Sequence, residues 1–188
     1  MCADRHQIPS HSIDMSPKLE QFLFKTYPKL FPNGNRVDPM RSLMCFGFEN
    51  GDGWFWLIHN LCASIQSYVD HTFPRPPQVI IDQVKEKYGT LRVYYHDGDN
   101  AIGGMVSFAE WLSGVTCEAC GNTNQDTVGR TTKGYYKTCC KNCIPELLNN
   151  TPSVYKWKSH RASAKAYERK KAREASQKKA TKSKRQCK

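Results

Sequence analysis

The chain has 188 residues, with 28 Lys+Arg against 17 Asp+Glu and a formal charge of +11. That is room for one ordinary domain with an appendage, or two small ones. Of these charges, 14 Lys/Arg and 2 Asp/Glu fall in residues 156–188, leaving 14 basic and 15 acidic side chains in 1–155, which excludes a uniformly basic domain.

Residues 1–15 are polar and read as a flexible terminus without the apolar core of a secretory signal. The position a prenylation motif needs as Cys, four from the end, is Arg185. The longest uncharged run, Gly53–Val69, has 17 residues and includes His59, Asn60 and Gln66, so no membrane span is expected. Nine cysteines, an odd number, point to reduced thiols in a cytoplasmic setting, some of them metal ligands, rather than to a disulfide framework.

Ser16-Pro17 predicts a helix start, with Leu19, Phe22 and Leu23 on one face and Tyr27-Pro28 as its end. Pro32–Asn35 is a turn cluster. The apolar run Met44–Phe48 leads into Glu49-Asn50-Gly51-Asp52-Gly53-Trp54, where Asp52 is expected to cap a helix over about Gly53–Val69. Pro74, Pro76 and Pro77 end that helix. Gln78–Tyr88 and Thr90–His96, rich in β-branched and aromatic residues, predict an antiparallel hairpin turning at Lys87-Tyr88-Gly89. A helix follows over about Ala101–Ser113, weakened near its start by Gly103-Gly104. The expected fold is α+β: a helix–β-hairpin–helix body over 16–114, a zinc ribbon over 115–150, and a basic tail over 151–188. From Lys156 the composition turns to Ala, Lys, Arg, Ser and Gln, which reads as disordered or helix-prone until it meets an anion.

Cys117-x-x-Cys120 and Cys140-x-x-Cys143 stand 19 residues apart, a four-cysteine zinc spacing. Tetrahedral Zn2+ takes four thiolates and leaves no open position, so one structural zinc is expected. Gly121 permits the first knuckle's turn. Cys139 competes with Cys140 as fourth ligand, and the CxxC spacing favours Cys140. Cys2, Cys45, Cys62 and Cys187 are scattered thiols.

The segments MCFGFENGDGWFWLIHNLC, QVKEKYGTLRVYY, AEWLSGVTCEACG and TCCKNC, spanning about Met44 to Cys143, resemble a family of small uncharacterised proteins of bacteriophages and environmental bacteria. The resemblance implies an architecture and a phage-type origin in a host cytoplasm. It implies no mechanism.

Tests for known chemistry fail. A restriction-type Asp/Glu-x-Lys pair is missing because Glu86 is followed by Lys87-Tyr88. No His lies between Cys117 and Cys143 for an HNH nuclease, and no zinc-deaminase signature is present. Glu49 and Asp52 in a Gly-rich loop remain as carboxylates able to bind a cation, against the plainer role of Asp52 as a helix cap. Glu86 reads as a cross-strand partner on a solvated face, and His59 as a packing residue.

Charge interleaved with aromatic rings points instead to nucleic acid, DNA or RNA. The candidate contacts are Arg130, Lys133, Tyr135, Tyr136 and Lys137 in the ribbon. Lys156, Trp157, Lys158, Arg161, Lys165, Arg169, Lys170, Lys171 and Arg173 continue them into the tail. One of Tyr135 and Tyr136 is equally suited to the ribbon's own core. The rival expectation is a module that binds a host protein through its Trp- and Tyr-rich body. No small-molecule substrate is indicated.

Overall fold

The computed structural model describes residues 14–32, 34, 36, 38–131, 136–144 and 156–186, with side chains as far as 178. The fold is α+β, with four helices and two three-stranded sheets among these residues.

Helix α1 is Pro17–Thr26, with Pro at its first position, and Tyr27 ends it. The Ser16 side chain does not cap it; instead the Ser16 N–H donates to Asp52 Oδ1 at 2.7 Å. Leu23 is buried on the inner face, and the buried Glu20 reaches out to accept the Phe48 N–H at 3.0 Å. A 3-10 turn at Leu43–Phe46 precedes the two-residue strand β1, Phe48–Glu49.

The helix expected from Gly53 starts later. Asp52–Trp54 form a 3-10 turn, and α2 runs Phe55–His71 without a side-chain cap. Asp52 is therefore not the N-cap, because its carboxylate is engaged by the Ser16 N–H. The apolar face of α2 buries Phe55, Ile58, Leu61, Ile65 and Val69, as its 3–4 spacing requires.

Strands β2, Ile80–Lys87, and β3, Thr90–His96, form the hairpin, and β1 adds in parallel on the far side of β2. The outer edge of β3 is covered by α3, Asn100–Ser113. Ser113 Oγ accepts from Leu91 N at 2.8 Å and Glu110 Oε1 from Val93 N at 3.0 Å, so an edge that would otherwise expose unpaired donors is satisfied. Asp99 caps α3 by accepting from Ala101 N and Ile102 N. One core joins these elements, centred on the fully buried Trp54, Phe48, Phe31, Ile58, Ile65, Ile81 and Leu91.

The second sheet has the order β5-β4-β6, from β4 Val128–Thr131, β5 Thr138–Cys140 and β6 Trp157–Ser159. Composition places Trp157–Ser159 with the basic tail, yet they pair antiparallel with Gly129–Thr131 and complete the ribbon's sheet. The chain then enters α4, His160–Gln186. Ser159 Oγ accepts from Ala162 N, and Arg161 binds Asp126 at 2.6 Å, which roots the helix on the ribbon.

Candidate metal centre and nucleic-acid interface

The first knuckle is a tight turn in which Gly121 N donates to the Cys117 carbonyl and Cys117 N to the Asn122 carbonyl. The second begins at the end of β5, where the 3-10 turn Lys141–Cys143 brings Cys143 back beside Cys140. The sulfurs of Cys117, Cys120, Cys140 and Cys143 all lie within 4.8 Å of one another, and Cys120 Sγ stands 3.8 Å from Cys140 Sγ. A regular tetrahedron with metal–sulfur bonds of about 2.3 Å has edges of about 3.8 Å, so the quartet fits a metal ion. Cys140 N donates to Cys117 Sγ at 3.2 Å and Asn122 Nδ2 to Cys140 Sγ at 3.3 Å, donors that favour thiolates.

Left to protons, the thiols behave unequally. Burial opposes ionisation of Cys120, but hydrogen bonds from Asn122 N–H and the neighbouring thiols outweigh it and lower its pKa. Burial pushes Cys140 up to about 11 and Cys143 higher still. Four adjacent thiolates need a cation to coexist. Cys139 is excluded by strand alternation: next to Cys140 in β5, it points into the small ribbon core with Val128 and Ile144, where burial raises its thiol to about 12.

The glycines of the Gly51-Asp52-Gly53 loop dock the body onto this centre. Gly53 N donates to the Glu118 carbonyl at 2.8 Å, and a Cβ at Gly53 would lie 2.4 Å from the Cys117 oxygen and 2.5 Å from Gly121 N. Trp54 Nε1 donates to the Thr116 carbonyl at 3.0 Å. Beneath the loop a buried ion triad forms. Lys137 Nζ lies 2.8 Å from Glu86 Oε2 and 3.1 Å from Glu118 Oε2, with Lys137 only 2% exposed. Burial by itself lowers the Lys137 pKa; Glu118 and Glu86 reverse this and hold it above the usual lysine value. Burial raises Glu118, its effect only partly offset by Lys137.

This corrects three expectations. Lys137 cannot contact nucleic acid, because it is sealed between two carboxylates. Glu86 does not sit on a solvated face but points inward to that lysine. Trp157 is not a free stacking ring: it packs on the ribbon core and donates to the Cys139 carbonyl at 3.0 Å. Lys133 and Tyr135 lie outside the described residues. Arg130 donates to the Tyr88 carbonyl and its guanidinium lies 5.6 Å from the Tyr136 ring, which is nearly half exposed. Lys158 pairs with Arg130 across β4 and β6, and Lys156 and Lys158 are exposed. Arg161, Lys165, Arg169, Lys170, Lys171 and Arg173 are exposed along α4.

Glu49 and Asp52 do not converge on a cation. Glu49 Oε2 accepts from Gln83 and Asp52 from Ser16 N. Among the described residues, the cysteine quartet is the one grouping of three or more His, Cys, Asp or Glu side chains close enough to share a metal. His59 is a packing residue, stacked on Phe55 and hydrogen-bonded to the Tyr27 hydroxyl at 2.9 Å. No described helix is long and apolar enough to cross a membrane.

The triad escapes a reading of local pattern, because its members come from β2, the first knuckle and the approach to β5. One signal exists: Glu86 shares its strand parity with the buried Val84, which marks it as inward-facing. Neither protein-family models, curated proteins nor solved structures give a match to this chain.

Proposed function

We propose that the protein is a zinc-ribbon module that binds nucleic acid through its C-terminal helix. The observation that carries this reading is α4. It holds 11 Lys/Arg against 2 Asp/Glu over 27 residues, about 40 Å of helix, and its described side chains from Arg161 onward are all exposed. A helix with charge on every side and no apolar stripe gains nothing from docking on its own protein. Its charge suits a polyanion, whose condensed counterions are released on binding. Zn2+ on Cys117, Cys120, Cys140 and Cys143 is the cation proposed for the ribbon, chosen because four thiolates in a closed tetrahedral set are its usual structural site. The metal orders the strands on which α4 is rooted. An accessory role in a phage-type setting, the origin that the family resemblance implies, accords with such a module.

Neutralising Arg169, Lys170, Lys171 and Arg173 together as Gln in the full chain tests this. Affinity for both DNA and RNA oligonucleotides should fall at least tenfold at 100 mM salt, with zinc content unchanged. Equal binding by the two proteins would count against it. A second reading, capture of a protein partner, has its own observation. Phe108 and Trp111 on α3 are exposed and stacked at 6.2 Å, beside an apolar cavity of about 330 Å³ lined by Leu57, Leu61, Met105 and Leu112. Binding there would be insensitive to salt.

A further inference from the structure

The hairpin tip carries a residue that turn chemistry does not favour. Its two connecting residues, Tyr88 and Gly89, have φ of +54° and +75°. Positive φ at both central positions is the type I′ arrangement, whose first place suits Asn, Asp or Gly. A bulky side chain held there costs backbone energy. The Tyr88 ring does not recover that cost in the core, since the residue is 66% exposed.

Its surroundings are basic and aromatic. Lys87 Nζ lies 5.9 Å from the Tyr88 ring. In the hairpin register Lys85 faces Arg92 and Gln83 faces Tyr94, so Lys85, Lys87 and Tyr94 project from one face. Lys85 Nζ sits 5.2 Å from the Tyr94 ring, itself 42% exposed. At the tip, Arg130 from the ribbon holds the Tyr88 carbonyl and lies over Tyr136. Three exposed tyrosines thus each carry a cation at the ring. Of the nearby acidic side chains, Glu86 turns inward to Lys137, Asp82 pairs with His96, and Glu49, opposite Lys85 in register, accepts from Gln83.

We propose that this hairpin–ribbon surface binds single-stranded nucleic acid, with Tyr88, Tyr94 and Tyr136 stacking on bases while Lys85, Lys87 and Arg130 meet phosphates. The proposal rests on the nucleic-acid reading above and adds a second contact beyond α4. Unpaired bases are the ligand because only they offer open faces to a ring; in a duplex those faces are covered by neighbouring pairs.

The test is fluorescence anisotropy of a labelled 20-nucleotide oligo-dT and of a 20-base-pair duplex against the full chain and two variants, Tyr88→Asn and Tyr94→Ala/Tyr136→Ala. Asn fits the left-handed turn, so Tyr88→Asn should melt at or above the wild-type temperature. Its oligo-dT affinity should nevertheless fall roughly tenfold, and that of the double variant further. Duplex affinity should stay unchanged, because α4 is intact. Wild-type oligo-dT binding in both variants overturns the surface; if neutralising α4 still removes binding, the nucleic-acid reading survives alone. Equal losses on duplex and single strand also overturn it, since stacking would then not be the cause. If the wild-type protein binds neither probe, both readings fall.

Discussion

Lys137 shows how far a single side chain can depart from its apparent role. Between Tyr136 and Thr138 it reads as one more surface cation, but its burial depends on Glu86, 51 residues away. Removing one partner of a buried ion pair leaves the other charge uncompensated, at about 3–5 kcal/mol. Lys137→Met should therefore lower unfolding free energy by about that amount in urea titrations. Adding Glu86→Gln should recover part of the loss; purely additive effects would contradict the triad. His96 makes a milder pH-dependent contribution. Its hydrogen bond to Asp82, 2.7 Å from Nδ1, raises its pKa above the ordinary histidine value, assisted by the charges of Asp82 and Asp97. A raised folded pKa means stabilisation that is complete below about pH 6.5 and lost as pH rises through the folded value. The melting-temperature gap between wild type and His96→Gln should be wider at pH 5.5 than at pH 8.5, and a pH-independent gap would refute it.

At the level of elements, those with local signals were legible. Pro17 and Tyr27-Pro28 bracket α1, the β-branched run Thr90–His96 coincides with β3, and the CxxC spacing selects the four cysteines that come together. Elements defined by distant partners were not legible. Strand β1 is two residues long and exists only because β2 accepts it in parallel. Strand β6 is three residues at the head of a basic run, and it is a strand because β4 pairs with it. Asp52 looked like a cap until Ser16, 36 residues earlier, claimed its carboxylate. The Gly-rich loop conserves space for the knuckle rather than starting a helix. A methyl group at Gly53 would press on backbone atoms of Cys117, Glu118 and Gly121 at 2.4–2.6 Å. Gly53→Ala should consequently destabilise the protein by about 1–3 kcal/mol and speed zinc loss to a chelator. By contrast Cys139→Ser should keep its metal, whereas Cys140→Ser should lose it. Zinc retention in Cys140→Ser would exchange the ligand assignment.

Across the whole molecule, the ribbon is joined to the body rather than appended to it. Gly53 and Trp54 bond to the chain around the first knuckle, Thr138 Oγ1 donates to the Gly89 carbonyl, and Lys137 bridges to β2. The sequence alone suggests that chelation would loosen the ribbon while the body survives. With these bonds, metal removal should also raise hydrogen exchange in the 51–54 loop and at the 86–91 turn, while α2 stays protected. Exchange confined to 115–144 would show the two parts to be independent. In the proposed reading, the metal-ordered ribbon is the base from which α4 extends its charge. The measurement that bears most directly on this arrangement is the salt dependence of nucleic-acid binding by the full chain. If α4 engages about seven phosphates, log K against log salt should have a slope of roughly −5 on single strands and roughly −6 on duplex DNA. Replacing its basic residues should flatten that slope toward zero on duplex DNA. A slope near zero in the unmodified protein, or one that persists after the replacement, would contradict the account.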